Sequence, residues 1–189
     1  MKSSTLWAYV DLLASFLAVV LIAVALSMPK RTAANDEALS PPGNVIVEAL
    51  WADSLDADVD LWVRAPGDVP VGYSNKSGRI FNLLRDDLGQ VQDITDLNHE
   101  VAYSRGMPAG EYCVNLHMYR AISVTFPLPV KIVVSRKAGD STRQIIATTA
   151  TLEKEGQEIT AMCFRLDEKG SLVLGSMHDN FTPLRSATK

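Results

Sequence analysis

Three carboxylates stand at every second position of the stretch LDADVDLW. In a β-strand, Asp56, Asp58 and Asp60 would share one face at spacings of ~6–7 Å. Their oxygens are ligands that Ca²⁺ prefers, and Asp86 and Asp87 supply further carboxylates along the chain. One ion could hold all three aspartates only if the chain turns between Asp56 and Asp58. The cluster is therefore either a calcium site or a solvated acidic strand start, in which one buried aspartate accepts hydrogen bonds from turn amides.

A carboxylate also stands inside an apolar run, at Asp11. The stretch WAYVDLLASFLAVVLIAVALSM holds no other charged residue. As a helix, residues 6–28 would be roughly 34 Å long, enough to cross a hydrocarbon core of ~30 Å. An ionised carboxylate there is costly unless it is paired, protonated or reached by water. Either Asp11 faces protein inside the membrane, or its side chain reaches the interface and the span begins near Leu12.

One face of this helix carries small and polar residues. Steps of three and four residues place Asp11 and Ser15 on a stripe whose other members are Ala8, Ala18, Ile22 and Ala25. Small-residue stripes let helices approach closely, and polar side chains in a membrane face the interior of a bundle. We therefore expect Asp11 to face protein.

These sites require two positioning elements, a membrane helix and a β domain. We predict a single N-terminal transmembrane α-helix followed by an all-β antiparallel sandwich, Ig-like or jelly-roll-like. The parts are a cytoplasmic tail (1–5), the transmembrane helix (6–28), a linker (29–43), a periplasmic β-sandwich domain (44–177) and a C-terminal tail (178–189). A very short tail is most easily left in the cytoplasm, which places the β domain outside the bacterial inner membrane. The alternative for the apolar segment is a cleaved signal peptide, although no small-x-small site directly follows it.

From residue 44 the hydrophobic period changes to two. In DADVDLWVRAP, Val59, Leu61 and Val63 alternate with the aspartates and Trp62, which is typical of a half-buried strand. Segments of strand composition then recur, separated by glycine turns such as PAGE, KAGD, KEGQ and DEKG. A series of eight or nine short strands without a convincing helix favours an antiparallel sandwich. We expect the tail from His178 to be loosely ordered.

The two cysteines lie on comparable faces of two of these strands. In GEYCVNLHMY, Cys113 alternates with apolar residues, and Cys163 does the same in EITAMCFRL. If the strands are neighbours, a disulfide between Cys113 and Cys163 can form in an oxidising compartment. The alternative is two unpaired thiols.

Charge and residue spacing argue against several classes of function. A net charge of −4 spread along 189 residues argues against a nucleic-acid partner, because binding phosphates needs a clustered basic surface. His99, His117 and His178 show no zinc-ligand spacing with one another or with the cysteines. No serine stands in a nucleophile elbow. We therefore expect neither an enzyme nor a bound cofactor, and we interpret His117 and Arg120 in HMYRA as surface residues.

The order AYVDLLASF resembles the membrane span of the B subunits of ion-driven 5:2 motors: MotB of the flagellar stator, ExbD, TolR, and ZorB of the Zorya phage-defence system. MotB spans read Ala-Tyr-x-Asp followed by aromatic, small and hydroxyl residues, and Ala8, Tyr9 and Asp11 match this order. Ser15 supplies a hydroxyl after the carboxylate. The outer part departs from the resemblance, since MotB and ZorB end in a peptidoglycan-binding α/β domain, and ExbD and TolR in a small α/β fold.

The resemblance implies that two copies of this helix, as a homodimer, lie inside a pentameric ring of multi-span MotA/ExbB-like A subunits. Asp11 would carry H⁺ or Na⁺, with Tyr9 and Ser15 as supporting polar residues. The membrane potential, worth ~2.3 kcal/mol per charge per 100 mV, would drive the successive loading of the two carboxylates. The β domain would anchor or sense a periplasmic or cell-wall ligand that the sequence does not identify, in a setting such as ZorB-like phage defence.

The stretch LDADVDLWVRAPGDVPVGYSN resembles a motif of bacterial extracytoplasmic β-sandwich domains without an assigned function. The motif contains a tryptophan, alternating aspartates, a Pro-x-Gly turn and an aromatic residue, here Trp51, Asp56, Asp58, Asp60, Leu61, Pro66, Gly67 and Tyr73. The resemblance covers about residues 44–135 and implies a sandwich fold. It leaves a second function open, a single-span tethered module that binds a protein, a glycan or Ca²⁺ without ion transport. A virion or secretion-apparatus component is a third alternative.

Overall fold

The chain divides into two compact units, residues 1–40 and residues 41–189. The structure is a computed structural model, and it describes residues 7, 9–10, 12–20, 44–89, 97–122, 124–139 and 141–185.

The described part of the first unit is helical. Residues 12–20 form a continuous helical stretch, and residues 7 and 9–10 are helical as well, so Tyr9 and Ser15 both lie on helix. Among the described residues, no helix combines the length and the apolar character needed to cross a membrane. Asp11 lies outside the described residues, as do the predicted cytoplasmic tail and the whole of the predicted linker. The transmembrane span therefore stays a prediction.

The described part of the second unit contains eight β-strands and no α-helix. The strands are β1 (Val45–Leu50), β2 (Asp56–Arg64), β3 (Phe81–Arg85), β4 (His99–Ser104), β5 (Gly110–Ile122), β6 (Leu128–Ala138), β7 (Ser141–Leu152) and β8 (Glu158–Leu166). The segment RIFNLLRDDLG, whose composition suits either a strand or a helix, contributes strand β3.

All strand pairs are antiparallel, and they form two sheets. The larger sheet has the order β3-β4-β1-β6-β7, and the smaller one has the order β2-β5-β8. The prediction of an antiparallel β domain is confirmed, and the arrangement of two sheets around one core is consistent with a β-sandwich.

The core lies between the apolar faces of the two sheets. It takes Val45 and Val47 from β1 and Ile132 and Val134 from β6 in the larger sheet. From the smaller sheet it takes alternate residues of two strands, Val59, Leu61 and Val63 of β2 and Tyr112, Val114, Leu116 and Met118 of β5. A two-residue period puts one side of each strand into the core and the other side on the opposite face. The next residues along β2, including Asp58 and Asp60, therefore lie on the outer face of the smaller sheet.

Part of this outer face is itself buried. Trp62, Cys113 and Cys163 are fully buried and form a second apolar cluster with Leu184, against which Tyr73 packs. Cys113 and Cys163 lie directly opposite each other in the pairing of β5 with β8, and the structure joins them in a disulfide.

The C-terminal segment covers the smaller sheet, which differs from the expected loose tail. The backbone of His178 forms two hydrogen bonds with that of Cys163, with N···O distances of 2.6 and 3.1 Å. The side-chain amide of Asn115 donates to the carbonyl of Thr182 at 2.8 Å. Leu184 is fully buried. The described part of the predicted tail, residues 178–185, is therefore an integral part of the domain.

We expect the paired substitution Cys113→Ala with Cys163→Ala to lower the free energy of unfolding by about 2–4 kcal/mol. The bond closes a loop between residues 50 positions apart, and its loss returns loop-closure entropy to the unfolded chain. Urea unfolding of the full chain in detergent measures the change. A reductant should produce the same loss in the wild type and none in the paired variant, and equal stabilities without reductant would contradict the prediction.

Candidate functional site

An acidic pocket opens on the outer face of the smaller sheet. It has a volume of about 150 Å³, and its lining consists of Asp58, Asp60, Tyr73, Asp86, Leu88 and Tyr119. Three carboxylates and two phenol rings therefore surround one small cavity. Four separate stretches of the chain supply them, namely β2, the loop after β2, the segment after β3, and β5.

β2 supplies Asp58 and Asp60 from the edge of the smaller sheet. Both aspartates are 3% exposed. Within the part of the chain that the structure describes, Oδ1 of Asp58 is buried without a hydrogen-bond partner. Burial and the nearby charge of Asp60 raise the pKa of Asp58 to about 7, although Arg120 opposes the shift. The charged form of Asp58 is therefore held in an unfavourable environment.

Asp60 belongs to a buried chain of hydrogen bonds. His117 lies opposite Asp60 on β5, and its Nδ1 is 2.6 Å from Oδ2 of Asp60. A guanidinium nitrogen of Arg185 is 2.6 Å from Nε2 of His117. Because a guanidinium only donates, Nε2 must accept, and the proton of a neutral ring must lie on Nδ1. His117 therefore donates to Asp60, which accepts as a carboxylate.

Asp86 reaches the pocket from a segment that its neighbours hold in place. The adjacent Asp87 accepts hydrogen bonds from the backbone N–H of Gly89 and of His99, both at 3.0 Å. Arg85 also donates to Asp87 at 3.0 Å. Asp86 itself pairs with Lys76 through Oδ2 at 2.8 Å, while its Oδ1 is buried without a hydrogen-bond partner among the described residues.

Glu100 lies behind the pocket and is buried, with 1% of its surface exposed. It stands on β4 of the larger sheet, yet its Oε2 accepts the backbone N–H of Leu61 on β2 at 2.6 Å. Its Oε1 accepts the backbone N–H of Asp87 at 3.2 Å. Burial raises the pKa of Glu100 well above its usual range, and the charges of Asp60 and Asp86 act in the same direction.

The carboxylates of Asp60, Asp86 and Glu100 converge. One oxygen of each lies within 4.8 Å of the others. At this separation two full negative charges repel each other by roughly 3 kcal/mol, at the effective dielectric constant of about 20 that suits protein sites. Such a group is stable only if a proton or a cation offsets part of the charge. The arrangement can therefore bind a positive ion or a positively charged group.

Aromatic residues form the remaining wall of the pocket. The ring of Tyr73 is 5.7 Å from that of Trp62 and 6.0 Å from that of Tyr119, measured between centroids. Gly72 makes this possible, because a Cβ at its position would overlap the indole ring of Trp62. The backbone therefore lies directly on Trp62 and places Tyr73 at the pocket.

The structure brings together only part of the predicted calcium cluster. Asp58 and Asp60 share the pocket, whereas Asp56 pairs with Arg120 at 3.3 Å and does not line it. The third and fourth carboxylates of the site are Asp86 and Glu100 instead. A straight strand spaces every second residue too widely for one ion, and β2 runs on as a strand through all three aspartates.

Glu100, Lys76 and the His117–Asp60 pair were not predicted from the sequence as parts of a site. His117, interpreted as a surface residue, is in fact 2% exposed. The sequence does carry one signal for Glu100, which alternates with the small residues Ala102 and Ser104 in HEVAYS. All three face inwards and are buried, so a charge in that series indicates a special role.

Comparison with protein-family models, with curated proteins and with solved structures finds no match to this chain.

We expect Asp58→Asn to raise the free energy of unfolding on the order of 1–2 kcal/mol at pH 8 in the presence of a chelator. The folded state raises the pKa of Asp58 to about 7, whereas the ordinary pKa of an aspartate is 3.8. As the pH rises through this window the unfolded state ionises first, so the wild type loses stability that a neutral amide retains. The increase in the free energy of unfolding caused by Asp58→Asn should therefore be smaller at pH 5 than at pH 8, as measured by urea unfolding.

Asp56→Asn is the matched control on the same strand. It removes the partner of Arg120 without touching the pocket, so it should not stabilise the protein. Destabilisation by Asp58→Asn that is equal at pH 5 and pH 8 would contradict the prediction.

Proposed function

We propose that this chain is a membrane-tethered binding protein whose β domain captures a positively charged ligand in the acidic pocket. The apolar segment 6–28 is the anchor, and the β domain, a sandwich of Ig-like or jelly-roll-like type, works outside the bacterial inner membrane. The tether leaves the domain free to act on a ligand in the periplasm or at the cell wall.

One observation carries this proposal. Asp58 is buried at the pocket with an oxygen that has no hydrogen-bond partner among the described residues. Buried polar atoms in folded proteins nearly always have a partner, so an unpaired carboxylate oxygen on a residue that lines a cavity supports a ligand in that cavity. The carboxylates around it favour a ligand that carries a positive charge. The rings of Tyr73 and Tyr119 offer faces that attract cations.

Two features support a location outside the inner membrane. The disulfide between Cys113 and Cys163 is a bond that persists in oxidising compartments and is rare in the bacterial cytoplasm. The apolar run 6–28 is long enough for a membrane span.

We expect the thermal midpoint of the full chain, in detergent, to rise with at least one cationic probe and with none of the anionic ones. The panel consists of Ca²⁺, Mg²⁺, spermidine and N-acetyl-lysine amide, with sulfate and acetate as anions. A ligand that binds only the folded state stabilises it by an amount that grows with its concentration above Kd. Asp58→Asn and Asp86→Asn should each reduce the shift.

The control is Glu168→Gln, which removes one exposed carboxylate in the turn after β8, away from the pocket. It should leave the shift unchanged. A shift that survives both pocket substitutions, or one that only anions produce, would overturn the proposed function.

A second candidate is the B subunit of an ion-driven rotary motor, with Asp11 as the carrier of H⁺ or Na⁺. The observation that favours it is the sequence AYVDLLASF, which places a carboxylate and the hydroxyl of Ser15 on a small-residue stripe of the apolar run. In this setting two copies of the chain would lie within a pentamer of multi-span A subunits. The β domain would then anchor or sense for the motor, so the two candidates share the outer pocket and differ at Asp11.

For this second candidate we expect Asp11→Asn to abolish ion flux without reducing assembly. An amide keeps the shape of the side chain but cannot alternate between charged and neutral forms. Co-expression with a neighbouring multi-span gene product and reconstitution in liposomes would measure flux, and native mass spectrometry would measure stoichiometry. Asp11→Glu is the matched control and should retain part of the flux. Full flux in Asp11→Asn, or the absence of any complex, would favour the tethered module alone.

A further inference from the structure

We propose that the acidic pocket is a Ca²⁺ site, with Asp60, Asp86 and Glu100 as its protein ligands and Asp58 as a further carboxylate of the pocket lining. This inference rests on the proposed function, because it names the ligand of the same pocket. It also differs from the cluster expected from the sequence, since two of the three ligands come from outside β2.

The spacing of three of these carboxylates suits one ion. Calcium binds oxygen at 2.3–2.6 Å, so two ligands of one ion lie at most about 5 Å apart. One oxygen from each of Asp60, Asp86 and Glu100 falls within 4.8 Å of the others. The hydrogen bonds that these residues accept leave further lone pairs, because each carboxylate oxygen has two.

Asp58 supplies an independent indication of a ligand. The residue is buried, with 3% of its surface exposed, and it lines the same cavity as Asp60 and Asp86. Its Oδ1 has no hydrogen-bond partner among the described residues. The Oδ1 of Asp86 is likewise buried without a partner among these residues. Two residues of the same cavity lining therefore each carry an unsatisfied carboxylate oxygen, and a cation in the cavity would offset the charge of both.

The ligand set favours Ca²⁺ over the alternatives. Calcium accepts six to eight oxygens in flexible geometry, whereas Mg²⁺ demands a near-ideal octahedron and usually keeps several waters on one or two carboxylates. Three converging carboxylates supply more charge than a single ammonium group needs. The proposed ligands are all oxygens. His117 is the nearby nitrogen donor, but both of its ring nitrogens already have hydrogen-bond partners, so the set does not suit Zn²⁺.

The framework around the site is already fixed. Backbone N–H groups of Leu61 and Asp87 hold Glu100, His117 holds Asp60, and Lys76 holds Asp86. Binding therefore requires little rearrangement of the protein. Because the oxygens are preorganised, the entropic cost of ordering them around the ion is lower.

Terbium luminescence on the full chain in detergent tests the inference. Tb³⁺ replaces Ca²⁺ at oxygen sites, and Tyr73 and Tyr119 at the pocket should sensitise its emission. We expect saturable emission at one ion per chain, displaced by Ca²⁺ and much less readily by Mg²⁺. Asp86→Asn removes a ligand and Asp58→Asn removes a carboxylate from the pocket lining, so each should weaken Ca²⁺ displacement by about tenfold or more, since negative charge sets the affinity of calcium sites.

Asp56→Asn and Glu168→Gln are the matched controls, because each removes a carboxylate that does not line the pocket. Both should bind as the wild type does. Absence of Ca²⁺ binding at millimolar concentration, or equal weakening by pocket and control variants, would overturn the inference. If Ca²⁺ fails while spermidine or N-acetyl-lysine amide still raises the thermal midpoint through Asp58, the calcium inference falls and the proposed function stands. If no cation acts through Asp58, both fall.

Discussion

The hydrogen bond from the backbone of Leu61 to Glu100 is the contact on which the pocket depends. β2 is an edge strand, and an edge leaves N–H groups without a strand partner. Glu100 reaches from β4 of the larger sheet to accept one of them, and it also accepts the N–H of Asp87. One buried carboxylate therefore joins the two sheets and fixes the segment that carries Asp86. The carboxylate of Glu100 also lies close to that of Asp60. The residue that connects the two sheets therefore also forms part of the acidic site.

The outer face of the smaller sheet is a second buried layer. Trp62, the disulfide and Leu184 form its apolar part, and the row from Arg185 through His117 to Asp60 forms its polar part. Each group in that row has a hydrogen-bond partner, which offsets part of the cost of burying it. The row ends at the pocket, where the carboxylate oxygens face one another instead. The C-terminal segment thus shields one side of the site and supplies a positive charge that supports Asp60.

The pocket lowers the stability of the folded protein when no ligand is bound. Converging carboxylates and an unsatisfied oxygen oppose folding in the free protein, and proteins retain such arrangements at sites that bind ligands. A bound cation would convert the repulsion into attraction. This gives the tethered module and the motor subunit a common outer element, because either one needs a domain that senses or grips something beyond the membrane. The two proposed functions differ in the apolar segment, where the motor proposal would require Asp11 to carry an ion and the tether proposal would not.

The sequence by itself determined the strands other than β3, the core-facing side of β2, and the shared face of Asp58 and Asp60. These follow from a two-residue period, which is a local property of the chain. Only the tertiary structure decided which carboxylates meet. Glu100 and Asp86 are far from Asp60 in the sequence, and their convergence depends on strand order and on the segment that Asp87 holds. The disulfide and the docked C-terminal segment were decided in the same way, because pairing between distant strands fixes contacts that local pattern does not encode.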